Sequence, residues 1–187
     1  MNTGQMLTVL GALMLLSMVS LTINSMITEK TLMMIQTEAG LEAISLAQTM
    51  IDEIMTKSYD AATAPPAPAI YPHDATRVYA EASFTGASSL GPNATEASQV
   101  PQPDVSTPFK SLNKYNDVDD YNNYSRRVWT SRLGNFTVQD TIYYVSETNP
   151  SVKSMTQTYF KKINVTVFYD GKPVLQMSDI AVYRRYF

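Results

Sequence analysis

The sequence predicts an α+β chain: a long N-terminal α-helix, its apolar half protruding and its amphipathic half packed on a sheet, followed by a small antiparallel β-sheet domain. Three observations predict it. An uncharged, mostly apolar run covers the 22 residues from Met6 to Ile27. A proline-free stretch with apolar residues at helical spacing continues it to Asp60. The C-terminal third falls into segments rich in Val, Ile, Thr, Tyr and Phe, residues that fit a pleated, half-buried surface.

The opening run has the length, about 20 residues, that a helix needs to cross a bilayer. Ser17, Ser20, Thr22 and Asn24 give it a polar stripe. A cleaved secretory signal would begin with Lys or Arg and end in a small-x-small site, whereas "MNTGQ" is neutral. Beyond Thr28, Ile44, Ala47, Met50, Ile51, Ile54 and Met55 recur at three- and four-residue spacing, opposite Glu42, Gln48, Asp52 and Glu53. Read as one element, roughly residues 5–58 make a helix of about 80 Å at about 1.5 Å per residue. Gly11 and Gly40 weaken it by about 1 kcal/mol each against Ala. The stretch from Ser17 to Asn24 is a candidate for local loosening, because Ser, Thr and Asn offer competing hydrogen bonds.

Four regions follow: an apolar helix over 1–28, its amphipathic continuation over 29–60, a Pro/Ala/Ser-rich loop region over 61–110, and an antiparallel head over 111–187. The loop region carries "AATAPPAPAIYP" and one possible short strand at Arg77 to Phe84. In the head, "QTYFKKINVTVFY" places Tyr159, Ile163, Val165, Val167 and Tyr169 on one face and Thr158, Lys162, Asn164 and Thr166 on the other. "YDGK" is a two-residue hairpin signal, with Asp170 and Gly171 suited to positive φ. A sheet with one greasy face needs a cover, and the amphipathic part of the helix supplies it.

Composition narrows the chemistry. With no cysteine and one histidine, thiol catalysis, disulfides, thiolate metal sites and histidine triads are set aside. Residues 29–125 carry thirteen acids against five bases, net −8; residues 126–187 carry four against nine, net +5. No dense basic run with interleaved aromatics occurs, so nucleic acid is not an expected partner. Asp52 and Glu53 point different ways around a helix, which rules them out as a catalytic dyad, and no glycine-rich phosphate loop exists; no enzyme activity and no cofactor are expected. The Met-rich helix reads as adaptable packing.

Two surface features remain. "NDVDDYN" offers Asp117, Asp119, Asp120 and Asn122 as oxygen ligands of the kind Ca²⁺ takes. The competing expectation is an Asp-rich turn that bonds its own backbone and pairs with Arg126 or Arg127. Four N-x-S/T sequons, at Asn93, Asn123, Asn135 and Asn164, are candidate glycosylation sites; Asn164 lies on a polar strand face.

A greasy N-terminal helix, an amphipathic extension and a small antiparallel sheet together resemble a type IV pilin or type II secretion pseudopilin, over the whole chain in architecture. "EAGLEAISLAQTMIDEIMTKSYD" looks like the helix end of pseudopilins and minor pilins. "YNDVDDYNNYS" is similar to a segment of minor pilins of the mannose-sensitive haemagglutinin pilus, and "KKINVTVFYDGKPVLQMSDIAVYRR" fits the end of that family's sheet. The resemblance implies a structural subunit of an extracellular pilus-like filament, a helical homo-oligomer built by bundling N-terminal helices. It also implies residence in the inner membrane before assembly and contact with pilus or secretion machinery. Alternatives are a minor pilin or pseudopilin that primes or tips a filament, and a membrane-anchored surface domain.

In most members of that family a basic leader is removed, the new N-terminus is methylated, and a glutamate lies five residues in. Here Met1 is taken as the mature start, with Gln5 in the glutamate's place; a cut after Gly4 would put Val9 there instead. Gln5 keeps an acceptor for a neighbour's amine without the charge. Gly11, Ala12, Ser17 and Ser20 would let helices approach closely in the bundle.

Overall fold

The computed structural model describes residues 2–64, 80–97 and 115–183. A single helix, α1, runs Thr3–Met55 without a break. The chain divides into two units, Met1–Ala39 and Gly40–Phe187.

The first unit is helix alone. Its expected loosening between Ser17 and Asn24 does not occur. The hydroxyls bend back onto carbonyls one turn earlier instead of competing for amides: Ser17 donates to Leu13 O at 2.9 Å, Thr22 to Met18 O at 2.8 Å and Thr28 to Asn24 O at 2.9 Å. That geometry satisfies a polar side chain while leaving the helical ladder closed.

The second unit joins the end of α1 to an antiparallel sheet, as the sequence predicts; its four strands form a meander. Strands β1 (Ser125–Thr130), β2 (Gly134–Tyr144), β3 (Phe160–Tyr169) and β4 (Lys172–Val182) lie in the order β1-β2-β3-β4. The β3–β4 link is the expected two-residue turn: Tyr169 pairs with Lys172, and Asp170 and Gly171 have φ of 50° and 73°. Both central residues of this turn type need positive φ, and its twist matches that of the strands.

One sheet face is buried. Phe136, Val138, Ile142 and Tyr144 of β2 alternate inward beside Ile163, Val165 and Val167 of β3. The helix contributes Ala43, Leu46, Ala47, Met50, Ile51 and Ile54. This stripe is turned from the predicted one, for Ile44 and Met55 remain 41% and 44% exposed while Ala43 and Leu46 are covered. Residues 43, 47, 50 and 54 form a strict one-face series, all of them buried.

Between helix and sheet, the described parts of the loop region are short turns: 3₁₀ turns at Ala61–Thr63 and Glu81–Ser83, and a one-turn helix α2 (Ala94–Ala97). The strand expected at Arg77 to Phe84 is corrected at its C-terminal half, where Ser83 donates its hydroxyl to Ala80 O and closes a turn. Arg77 to Tyr79 lie outside the described residues.

Candidate functional site: the apolar helix and a buried charged seam

The first unit offers an apolar surface. Within α1 lies a stretch long and apolar enough to cross a membrane, and none of it is buried. Leu7, Leu13, Met14, Leu16, Met18, Leu21 and Ile27 all stand more than half exposed. Of the residues expected to serve assembly, Met1 lies outside the described residues. Gln5 Oε1 accepts weakly from the Asn2 amide at 3.5 Å, within its own chain. Gly11 has open space where a Cβ would stand. Ser17 is tied to Leu13 O, while Ser20 and Asn24, one turn apart, line a hollow with Leu16, Val19, Ile23 and Ile27.

The second unit hides charge beneath its sheet. Strand alternation puts Arg126 in phase with Val128, Asp140 with Val138 and Ile142, and Lys161 with Ile163 and Val165, so three charged residues point into the core. Lys161, fully buried, spends its ammonium donors on Tyr59 O at 2.8 Å, Asp60 Oδ2 at 2.7 Å and Asp119 Oδ1 at 2.7 Å. The rings of Tyr59 and Tyr144 flank it at 4.5 and 5.2 Å, within range of a cation–π attraction. Asp60 also accepts from the amides of Ala62 and Thr85 and from the Tyr144 hydroxyl. Burial pushes the Asp60 carboxyl up, but Lys161 and these amides outweigh it and hold the group below its ordinary range. Three separate segments are thereby joined: the chain after α1, the Asp turn and β3.

A second tie lies along the same seam. Arg126 holds Glu53 of α1 through a two-pronged pair, Nη1–Oε2 at 2.9 Å and Nη2–Oε1 at 2.8 Å, and donates Nε–H to Tyr124 Oη. Tyr121 donates its hydroxyl to Glu53 Oε1 at 2.9 Å. Burial raises the Glu53 carboxyl, and Arg126 with Tyr121 more than reverses this, leaving it lowered. Such fork-to-carboxylate pairs fix orientation as well as charge.

The Asp turn bonds its own backbone, but its cation is Lys161 rather than Arg126 or Arg127, which corrects the expected pairing. Asp117 Oδ1 accepts from the amides of Asp119 and Asp120, and Asp120 Oδ2 from those of Asn116 and Asp117. Asn122 bridges Leu90 O and the Ile142 amide. Each of the four calcium candidates is engaged within the protein through at least one oxygen, although Asp117 Oδ2 finds no hydrogen-bond partner among the described residues, and no group of three or more acidic, histidine or cysteine side chains among the described residues is placed to hold a metal ion. Burial, with Asp119 and Asp120 adding, pushes the Asp117 carboxyl far up.

Of the sequons, Asn93, Asn123 and Asn135 are exposed, Asn123 at φ 61°. Asn164 is half-buried and donates its amide to the Tyr143 hydroxyl at 3.1 Å.

No known family model, curated protein or solved structure matches the chain.

Proposed function

We propose that this chain is a structural subunit of a type IV pilus-like filament, held in the inner membrane by α1 and assembled by bundling the N-terminal helices of many copies, with the sheet domain at the filament surface. The observation that carries the reading is the bare apolar first unit. A helix that is apolar all round must be covered by lipid or by copies of itself. Most of its hydroxyls, among them those of Ser17, Thr22, Ser25 and Thr28, are already satisfied inside the helix, so it can enter either setting at little polar cost. Because lipid and bundle are similarly apolar, association rests on close packing at small residues such as Gly11 and Ser20 and on hydrogen bonds between helices. An interface between unlike faces that does not close on itself makes a fibre.

A second reading, a minor pilin or pseudopilin that primes or tips such a filament, is favoured by Gln5, which cannot form an ion pair with a neighbour's amine. The test is to shear cells, sediment the released filaments and quantify this chain by peptide mass spectrometry, including its N-terminal peptide. The major-subunit reading expects it as the dominant component. A trace amount in filaments of another chain supports the minor role, and recovery only from membranes supports a plain anchor and contradicts both.

A further inference from the structure

Asp140 is the charged residue of the seam that nothing holds. It is 2% exposed, and neither carboxyl oxygen has a hydrogen-bond partner among the described residues. Its backbone is fully used: its amide donates to Tyr124 O at 2.9 Å and its carbonyl accepts from the Asn123 amide at 3.1 Å. These bonds extend the β1–β2 register, in which Arg126 faces Val138. Asp140 is therefore the diagonal neighbour of Arg126 on the buried face, a placement about 7–8 Å apart, less between Cβ atoms, that a long side chain can span. Around it stand Arg126 from β1, Glu53 from α1 and Tyr124 from the segment before β1, with apolar Val165 opposite on β3. Arg126 is the sole cation among these groups, and both prongs of its fork are spent on Glu53.

We propose that Asp140 is an idle second acceptor for Arg126, making the tie between α1 and β1 a two-position clamp governed by one proton. With Asp140 neutral, Arg126 belongs to Glu53 and the last turns of α1 are bound to the sheet. When Asp140 ionises, two carboxylates face one guanidinium, and Asp140 itself is buried from water. The fork is then shared or transferred, and the hold on Glu53 gives way. Burial first, with the nearby Glu53 carboxylate adding and Arg126 opposing, puts that proton's loss at about pH 8. A carboxyl moves this far only when its charged form is poorly solvated. An ionised Asp140 left alone would be a buried charge without a partner, and the cation nearest to it is its diagonal neighbour, Arg126.

The test is an NMR titration of the full-length chain in detergent micelles between about pH 6 and about pH 10, a span on both sides of the transition. It follows the Arg126 Nε–Hε resonance and the Asp140 ¹³C carboxyl resonance in the wild type and in Asp140→Asn. Both wild-type signals are expected to move together with one midpoint near pH 8, and the Arg126 signal of Asp140→Asn to stay flat. An Arg126 signal that stays flat while Asp140 titrates, or moves equally in the variant, overturns the proposal. So does an Asp140 carboxyl titrating in the ordinary range near about pH 4. If Asp140→Asn fails to fold, the two wild-type curves decide alone.

Discussion

Glu53, Asp60, Asp117 and Asp140 are four carboxyls whose burial has opposite consequences, because two have cations and two do not. Glu53 and Asp60 are held below their ordinary range. The native state therefore releases their protons more readily than the unfolded chain, and the stability they contribute is present above the unfolded carboxyl pKa and lost as pH falls through the folded value. Asp117 and Asp140 are raised, Asp140 to about 8. Their contribution is full at low pH and is lost as pH climbs from the ordinary carboxyl range through the folded value. Thermal unfolding of the full chain against pH should thus show an acid limb and a separate decline toward pH 8. Asp140→Asn, which cannot ionise, should reduce that decline to the part Asp117 carries and, above pH 8, raise stability by at least about 1–3 kcal/mol, since an unsatisfied buried group costs this much and a charged one more; an unchanged profile would contradict it. Glu53→Gln should destabilise by about 2–3 kcal/mol, somewhat under the 3–5 of a fully buried pair because the Glu53 side chain keeps some solvent. Lys161→Met, which strands Asp60 and Asp119 together, should cost about 3–5 kcal/mol, read by denaturant midpoint.

At the scale of elements, the helix, the four strands and the β3–β4 turn were legible because each rests on a local rule: apolar spacing, strand alternation and an Asp-Gly pair. The helix face was read slightly wrong, since hydrophobicity favoured Ile44 and Met55 while packing chose Ala43 and Leu46. Which of two adjoining helix faces is covered, and how fully, is a tertiary fact that periodicity does not contain. On the covered face, Ala47→Leu should overpack the helix–sheet contact and destabilise by about 1–3 kcal/mol; a neutral change would show that the helix stands farther off. The charged seam was missed although its signal was present. Lys161 shares the parity of Ile163, Val165 and Val167, and a lysine on a core parity asks for acids from elsewhere in the chain. Which acids answer, Asp60 and Asp119 rather than any neighbour in sequence, depends on long-range folding.

For the whole molecule, two parts are held to different standards of completeness. The second unit has its own core, capped turns and internal ion pairs, with Asp140 its unpaired buried carboxyl. The apolar stretch of the first unit buries nothing and leaves a surface that water disfavours. A charge on that surface, as in Leu13→Lys, should leave the thermal stability of the sheet domain unchanged and abolish filament formation, a separation that an ordinary folding defect would not produce. The most direct measurement of the central claim is a cryo-EM reconstruction of filaments sheared from cells that make this chain. The expected result is a core of α1 helices from neighbouring copies, packed along the Thr3 to Ile27 stretch, with the four-stranded domains outside. Filaments whose core is built from another chain, or this chain found only as a monomer in membranes, would contradict it.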